Sequence, residues 1–214
     1  MNKSSSLEKT KHMKLSIFTT LLFFCASLFA QNTSEKDHYY QIPANPKKFT
    51  AETAAARMVD GLGFRYYWAS ADLKKEDLAY RPTEAARSNF ETLVHIYNLT
   101  NVVLNSVKNE PNKGGGPNPN EMSYEELRAG TLNNLKKAST LLKNAKKKAM
   151  KGYQMSFIRD NGTVDYPFWN VINGPLSDAI YHTGQVVTLR RSSGNPINPN
   201  ISVLQGIVRT PANN

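Results

Sequence analysis

From Thr50 onward, apolar residues recur every three or four positions and polar residues fill the gaps. Ala55, Met58, Leu62, Tyr66 and Ala69 make the first stripe, which predicts a helix from Thr50 to about Ala71. The next stretch, "DLKKEDLAYRPTEAAR", loses the period and holds Pro82, so it reads as a connection. At "SNFE" a second helix opens. Ser88 is placed to cap the backbone, and Glu91, three residues on, can reach back to it. Leu93, Ile96, Leu99, Val103 and Val107 form the stripe of this helix. The same capping pattern returns in "SYEE", with Ser123 and Glu126. It predicts a third helix with Leu127, Leu135, Ala138, Leu142, Ala145 and Ala149 inward and its lysines outward.

The period then breaks in "MKGYQMSFIRDNGTVDYPFWNVIN", where Asn161-Gly162 is a turn signal for a short hairpin or irregular loop. A fourth helix is predicted in "GPLSDAIYHTGQVVTLRRSSGNP". Pro175 suits its first turn, and Gly194 followed by Pro196 ends it. Between the second and third helices lies "NEPNKGGGPNPNE", long enough to cross the end of a bundle. As an interdomain linker it would leave each half too little core to fold alone. The pattern predicts an all-α fold: a four-helix bundle over residues 50–195, with a long crossover between helices two and three. Residues 31–49 read as a polar leader, and residues 196–214 as a tail on the bundle surface.

The N-terminus changes the picture of where the chain works. "MKLSIFTTLLFFCASLFAQ" has a basic start, an apolar run from Leu15 to Phe29, and Ala30 before Gln31. That is the layout of a secretory signal over residues 1–30, with Met13 as an alternative start, and too short for a stable membrane span. A periplasmic or secreted protein is expected, with no transmembrane segment in the mature chain. Cys25 follows Phe24, whereas lipid attachment wants a small residue there, so Cys25 reads as discarded with the signal. The mature chain then has no cysteine and must be held by its core.

Charge adds one more constraint. The 214 residues carry a formal +10, of which residues 1–30 contribute four lysines and one glutamate. Much of the remainder sits in "NNLKKASTLLKNAKKKAMK", residues 133–151. A basic helix can bind nucleic acid or anionic lipid, but no recognition motif accompanies these lysines. A solvated helix face is the expectation, with no nucleic-acid partner. A homodimer is left open.

The candidate chemistry centres on two histidines. His95 interrupts the apolar and aromatic run "ETLVHIYNLT" of the second helix, and His182 lies on the fourth. Asp178 is four residues before His182, which puts both on one helix surface. One imidazole from another helix would complete three ligands and leave a position open to water or substrate. Asp178 also falls in a first turn, where any carboxylate favours the helix dipole. Gln185, three residues after His182, can support that ring or simply pack. Glu91 is an alternative ligand, although its cap competes for the same side chain. Tyr66, Tyr67, Trp68 and Trp169 are candidates for a pocket mouth or for core. There is no serine or cysteine nucleophile motif and no glycine-rich phosphate loop.

With this helix order, "ETLVHIYNL" on the second helix and "DAIYHTGQVVTLRRSSG" on the fourth, residues 50–195 resemble the DinB/YfiT-like superfamily. The resemblance implies a four-helix bundle with its long crossover between helices two and three. It also implies a metal site of one histidine from the second helix and two, four residues apart, from the fourth. His95 and His182 match that pattern, His182 standing in "HTGQ". Asp178 stands where the family commonly has histidine. A site of His95, Asp178 and His182 suits Zn²⁺, Ni²⁺, Mn²⁺ or Fe²⁺. The family contains metal-dependent thiol transferases and a thiol-dependent isomerase. Export argues against a cytosolic thiol cosubstrate, so hydrolysis of a small molecule is an equal expectation. The alternative is a non-catalytic ligand- or partner-binding bundle with a vestigial metal site. A basic envelope- or nucleic-acid-binding protein is a third reading that rests on the lysines alone.

Overall fold

The computed structural model describes residues 38–210 apart from positions 115 and 117. Residues 1–30, expected from the sequence to be a secretory signal and including Cys25, and the first part of the expected leader therefore lie outside the described residues. Four long helices are present among them: α1 (Ala51–Ala69), α3 (Asn89–Lys108), α4 (Tyr124–Asn144) and α6 (Ser177–Ser192). Two short helices, α2 (Lys75–Ala79) and α5 (Trp169–Val171), lie in connections. Among the described residues, no helix is long and apolar enough to cross a membrane.

Helix starts follow the capping chemistry. Ser88 Oγ accepts the Glu91 N–H at 3.1 Å, and Glu91 Oε2 accepts the Ser88 N–H at 2.6 Å. Ser123 and Glu126 repeat the pair at 3.1 and 2.8 Å. Each exchange satisfies two N–H groups that a helix start would otherwise leave unpaired. The first helix uses Thr50 and Thr53 in the same way.

The four long helices pack in alternation: α1 against α4 and α6, and α3 against the same two. Val59, Leu62 and Tyr66 of α1 meet Leu93, Ile96 and Val103 of α3, Leu135 and Leu142 of α4, and Val186 of α6 in one buried cluster. Burying each such side chain stabilises the fold by about 1.5–3 kcal/mol. Three inward assignments from the periodicity do not hold. Met58 is exposed, because the turn of α1 carries Val59 inward instead. Ala145 and Ala149 are off the helix: α4 stops at Asn144, and Lys148 takes a left-handed φ of 70° in the run of lysines.

Between α4 and α6 the broken period is a hairpin, β1 (Gln154–Arg159) paired antiparallel with β2 (Gly162–Pro167). Arg159 pairs with Gly162, so Asp160 and Asn161 form the two-residue loop. The crossover before α4 clamps onto this hairpin, with Asn112 N–H donating to Ser156 O and Ile158 N–H donating to Asn112 O. Pro175 is not in the first turn of the regular fourth helix, which begins after it at Ser177 and is preceded by irregular helical turns. Helical turns start at Trp169, and a wider π-type turn, Ile172–Leu176, carries Pro175 inside it. Proline has no N–H to donate, and Gly174 leaves helical geometry at φ −95°, ψ −112°. The regular helix resumes at Ser177.

The far end of α6 is latched to α1 and α2. Buried Arg190 donates from Nη1 to the carbonyls of Trp68, Ala69 and Ala71 at 3.1, 3.0 and 2.9 Å, satisfying acceptors at the end of α1. Asp77 on α2 accepts from Ser193 Oγ at 2.5 Å and Asn195 Nδ2 at 2.6 Å. The tail pairs β3 (Ile201–Ser202) with β4 (Ile207–Val208).

The segment before α1 is packed, not merely a polar leader. Tyr39 is buried, its ring lies where a Cβ on Gly63 would come within 2.4 Å, and Ile42 N–H donates to Gly206 O at 2.8 Å. The sequence hid this, because Tyr39, Tyr40 and Ile42 in a short stretch next to prolines are too few to set a period.

Candidate metal centre

The buried neighbours Leu93 and Ile96 fix the rotation of α3, which leaves His95 half-buried on the seam facing α6. From α6, Ala179 and Val186 point into the core, and Asp178 and His182 stand beside them on the same seam. The kinked turn before α6 supplies its own anchor: Ser177 Oγ donates to Ile172 O at 2.6 Å, and Pro175 and Leu176 are buried. The first turn of α6 is thus tied down where Asp178 leaves it.

His95 Nε2 lies 3.3 Å from Asp178 Oδ2, and His182 Nε2 lies 3.3 Å from Asp178 Oδ1. The two imidazoles meet edge to face, 4.5 Å between centroids at 87°. One ligand atom from each of the three residues lies within 4.8 Å of the others, so the group is able to hold a metal ion. The sequence-derived trio is thus brought together.

The protonation pattern sharpens this. Gln185 Oε1 accepts the His182 Nδ1 proton at 2.6 Å, which leaves the lone pair of a neutral His182 ring on Nε2. That lone pair faces a carboxylate oxygen, so a proton or a metal cation is needed between them. A separation of 3.3 Å fits a long hydrogen bond and also the spacing of two ligands on one ion. Charge-assisted N–H···O bonds run about 2.7–2.9 Å. Ligand bonds of about 2.0–2.2 Å at tetrahedral angles set neighbouring donor atoms about 3.4 Å apart. Burial holds His95 below the usual histidine value, helped by His182 and Arg87 and opposed by Asp178. A neutral imidazole is the form that ligates.

Beside His95 opens a cleft of about 410 Å³, lined among others by Arg81, Arg87, Glu91 and Asn98. Glu91 shares this cleft but not the ligand group. Its carboxylate is held by the Ser88 N–H and lies 3.3 Å from Arg81 Nη2. The capping role has won. The aromatics proposed for the mouth lie elsewhere. Tyr66 is fully buried in the core. Trp68 packs on Tyr40 and Tyr67, and its Nε1–H donates to Tyr40 O at 3.1 Å. Trp169 lines a different concavity next to Phe49. Sequence reading missed Arg81 and Arg87, which sit in "RPTEAAR". Their cue was two guanidiniums just ahead of the His95 helix, in a stretch read only as a connection.

Comparison with protein-family models, curated proteins and solved structures returned no match. The functional reading rests on the geometry of the site.

Proposed function

We propose that the chain is an exported four-helix bundle of the DinB/YfiT type that binds one divalent ion through His95, Asp178 and His182. The observation that carries this reading is the Asp178 carboxylate, set 3.3 Å from two imidazole Nε2 atoms on two different helices. A bound divalent ion would lower the pKa of a coordinated water or thiol and so generate a nucleophile near neutral pH. Gln185 holds the His182 ring with Nε2 toward the site. Arg81 and Arg87 bring two guanidiniums to the neighbouring cleft, balanced there by Glu84 and by Glu91, which pairs with Arg81, so the cleft suits a small polar substrate. Metal-dependent hydrolysis or thiol transfer is the reaction class, hydrolysis being the better match to export.

The carboxylate adds negative charge to the ligand set, so Mn²⁺ and Fe²⁺ compete better here than at an all-histidine site. Elemental analysis of protein purified without chelator tests the reading. About one divalent ion per chain is expected. Metal-free protein that takes up none on dialysis against micromolar Zn²⁺, Ni²⁺ or Mn²⁺ would leave a bundle with a vestigial site.

A further inference from the structure

A larger concavity of about 910 Å³ opens away from the histidines. It lies where the start of α1 meets the lysine-rich turn after α4 and the base of the hairpin. Pockets that enclose small organic ligands span roughly 300–1,000 Å³. The floor is apolar: Phe168 is buried, and Met150 and Tyr153 pack on the core. At the lip, Phe49 is 96% exposed and Trp169 75% exposed. Two large apolar side chains held in water around an apolar floor mark a binding surface.

Charge selects the ligand. Lys48, Lys147, Lys148 and Lys151 all line the concavity and are exposed, and none has an ion pair among the described residues. Two carboxylates, Glu52 and Asp165, stand against these four ammoniums. Lys147, Lys148 and Lys151 were expected on a solvated helix face. The end of α4 at Asn144 and the left-handed Lys148 turn them to the rim of the pocket instead.

We propose that this concavity binds a single-chain fatty acid. Its hydrocarbon tail lies on Phe168, Met150 and Tyr153, between Phe49 and Trp169, and its carboxylate lies among the lysines. A cationic amphiphile meets like charge at the rim, and a neutral one leaves the ammoniums unused. A flat anionic membrane reaches Phe49 and Trp169 but leaves the depth unfilled. A single chain that enters buries the floor as well. This inference stands apart from the metal site.

The test uses laurate below its micellar concentration, added to the full protein with and without EDTA, and read by calorimetry and tryptophan emission. Trp169 is the reporter, since Trp68 is already packed against Tyr40 and Tyr67. Saturable one-to-one binding and a blue shift are expected, with no change on adding EDTA and no shift in Trp169→Phe. Dodecyltrimethylammonium, of equal chain length, is expected not to bind. Lys147→Glu with Lys151→Glu should weaken laurate by roughly ten-fold or more at unchanged circular dichroism, and Lys48→Glu alone should weaken it less. Equal binding of the two amphiphiles, or laurate binding that ignores all three lysines, overturns the proposal. So does tight binding to phosphatidylserine vesicles that laurate does not release, which would make the patch a membrane-facing surface.

Discussion

His95 Nε2 and Asp178 Oδ2 lie 3.3 Å apart although 83 positions separate the residues along the chain. Helix α3 brings the ring and α6 brings the carboxylate, and the same carboxylate turns its other oxygen to His182. Asp178 thus makes two contacts with imidazoles that a helix-dipole preference alone does not call for. A carboxylate serving only the dipole has no need of two imidazole nitrogens.

Asp178 variants separate these roles. Asp178→Ala should weaken metal binding strongly and leave helicity nearly unchanged. Asp178→His should restore Zn²⁺ or Ni²⁺ and lose Mn²⁺, because the added donor is softer. Competition titration with a metal-sensitive dye measures both. If Asp178→Ala binds as tightly as the parent, Asp178 is only a helix-start carboxylate.

Gln185 acts through His182. Gln185→Leu removes the acceptor that fixes the ring and should cost about 10–100-fold in metal affinity. Gln185→Glu keeps an acceptor and should recover most of it. Equal loss in both variants would point to a packing defect.

In the metal-free protein, His95 should titrate below about 6.5, the ordinary histidine value, because burial outweighs the pull of Asp178. The folded ring then binds fewer protons than the unfolded one. Stability should rise with pH between the two values and level off above about 6.5. Ring resonances followed by NMR report the midpoint. A midpoint above 6.5 would show that Asp178 dominates.

Away from the site, Gly63→Ala would bring a Cβ within 2.4 Å of the Tyr39 ring. Overpacking of this kind costs about 1–3 kcal/mol. Urea unfolding should show that loss in Gly63→Ala, and a smaller added loss when Tyr39→Ala is already present. Additive losses would mean that Tyr39 does not fill the space over Gly63.

Helix starts and the Asp178–His182 pair were legible because their signals are local, whereas His95 was joined to them as the histidine of another helix and through the family resemblance. Ser88 with Glu91, Ser123 with Glu126, and the spacing of Asp178 and His182 each lie within one helical turn. What the sequence could not place depends on contacts between distant segments. Tyr39 is buried by α1, and Trp169 is turned outward beside Phe49. Glu91 was ambiguous because one carboxylate had two good uses. Ala145 and Ala149 continued the period after the helix had ended, since alanine and lysine favour helix whether or not tertiary packing supports it.

Titration calorimetry of the metal-free parent beside His182→Ala bears most directly on the metal centre. His182 is the most buried of the three proposed ligands, and α6 carries no other histidine. One-to-one binding of Zn²⁺, Ni²⁺ or Mn²⁺ with micromolar or tighter affinity is expected in the parent (about −8 kcal/mol or stronger) and none in His182→Ala. Binding of equal strength and stoichiometry in both proteins would contradict the site.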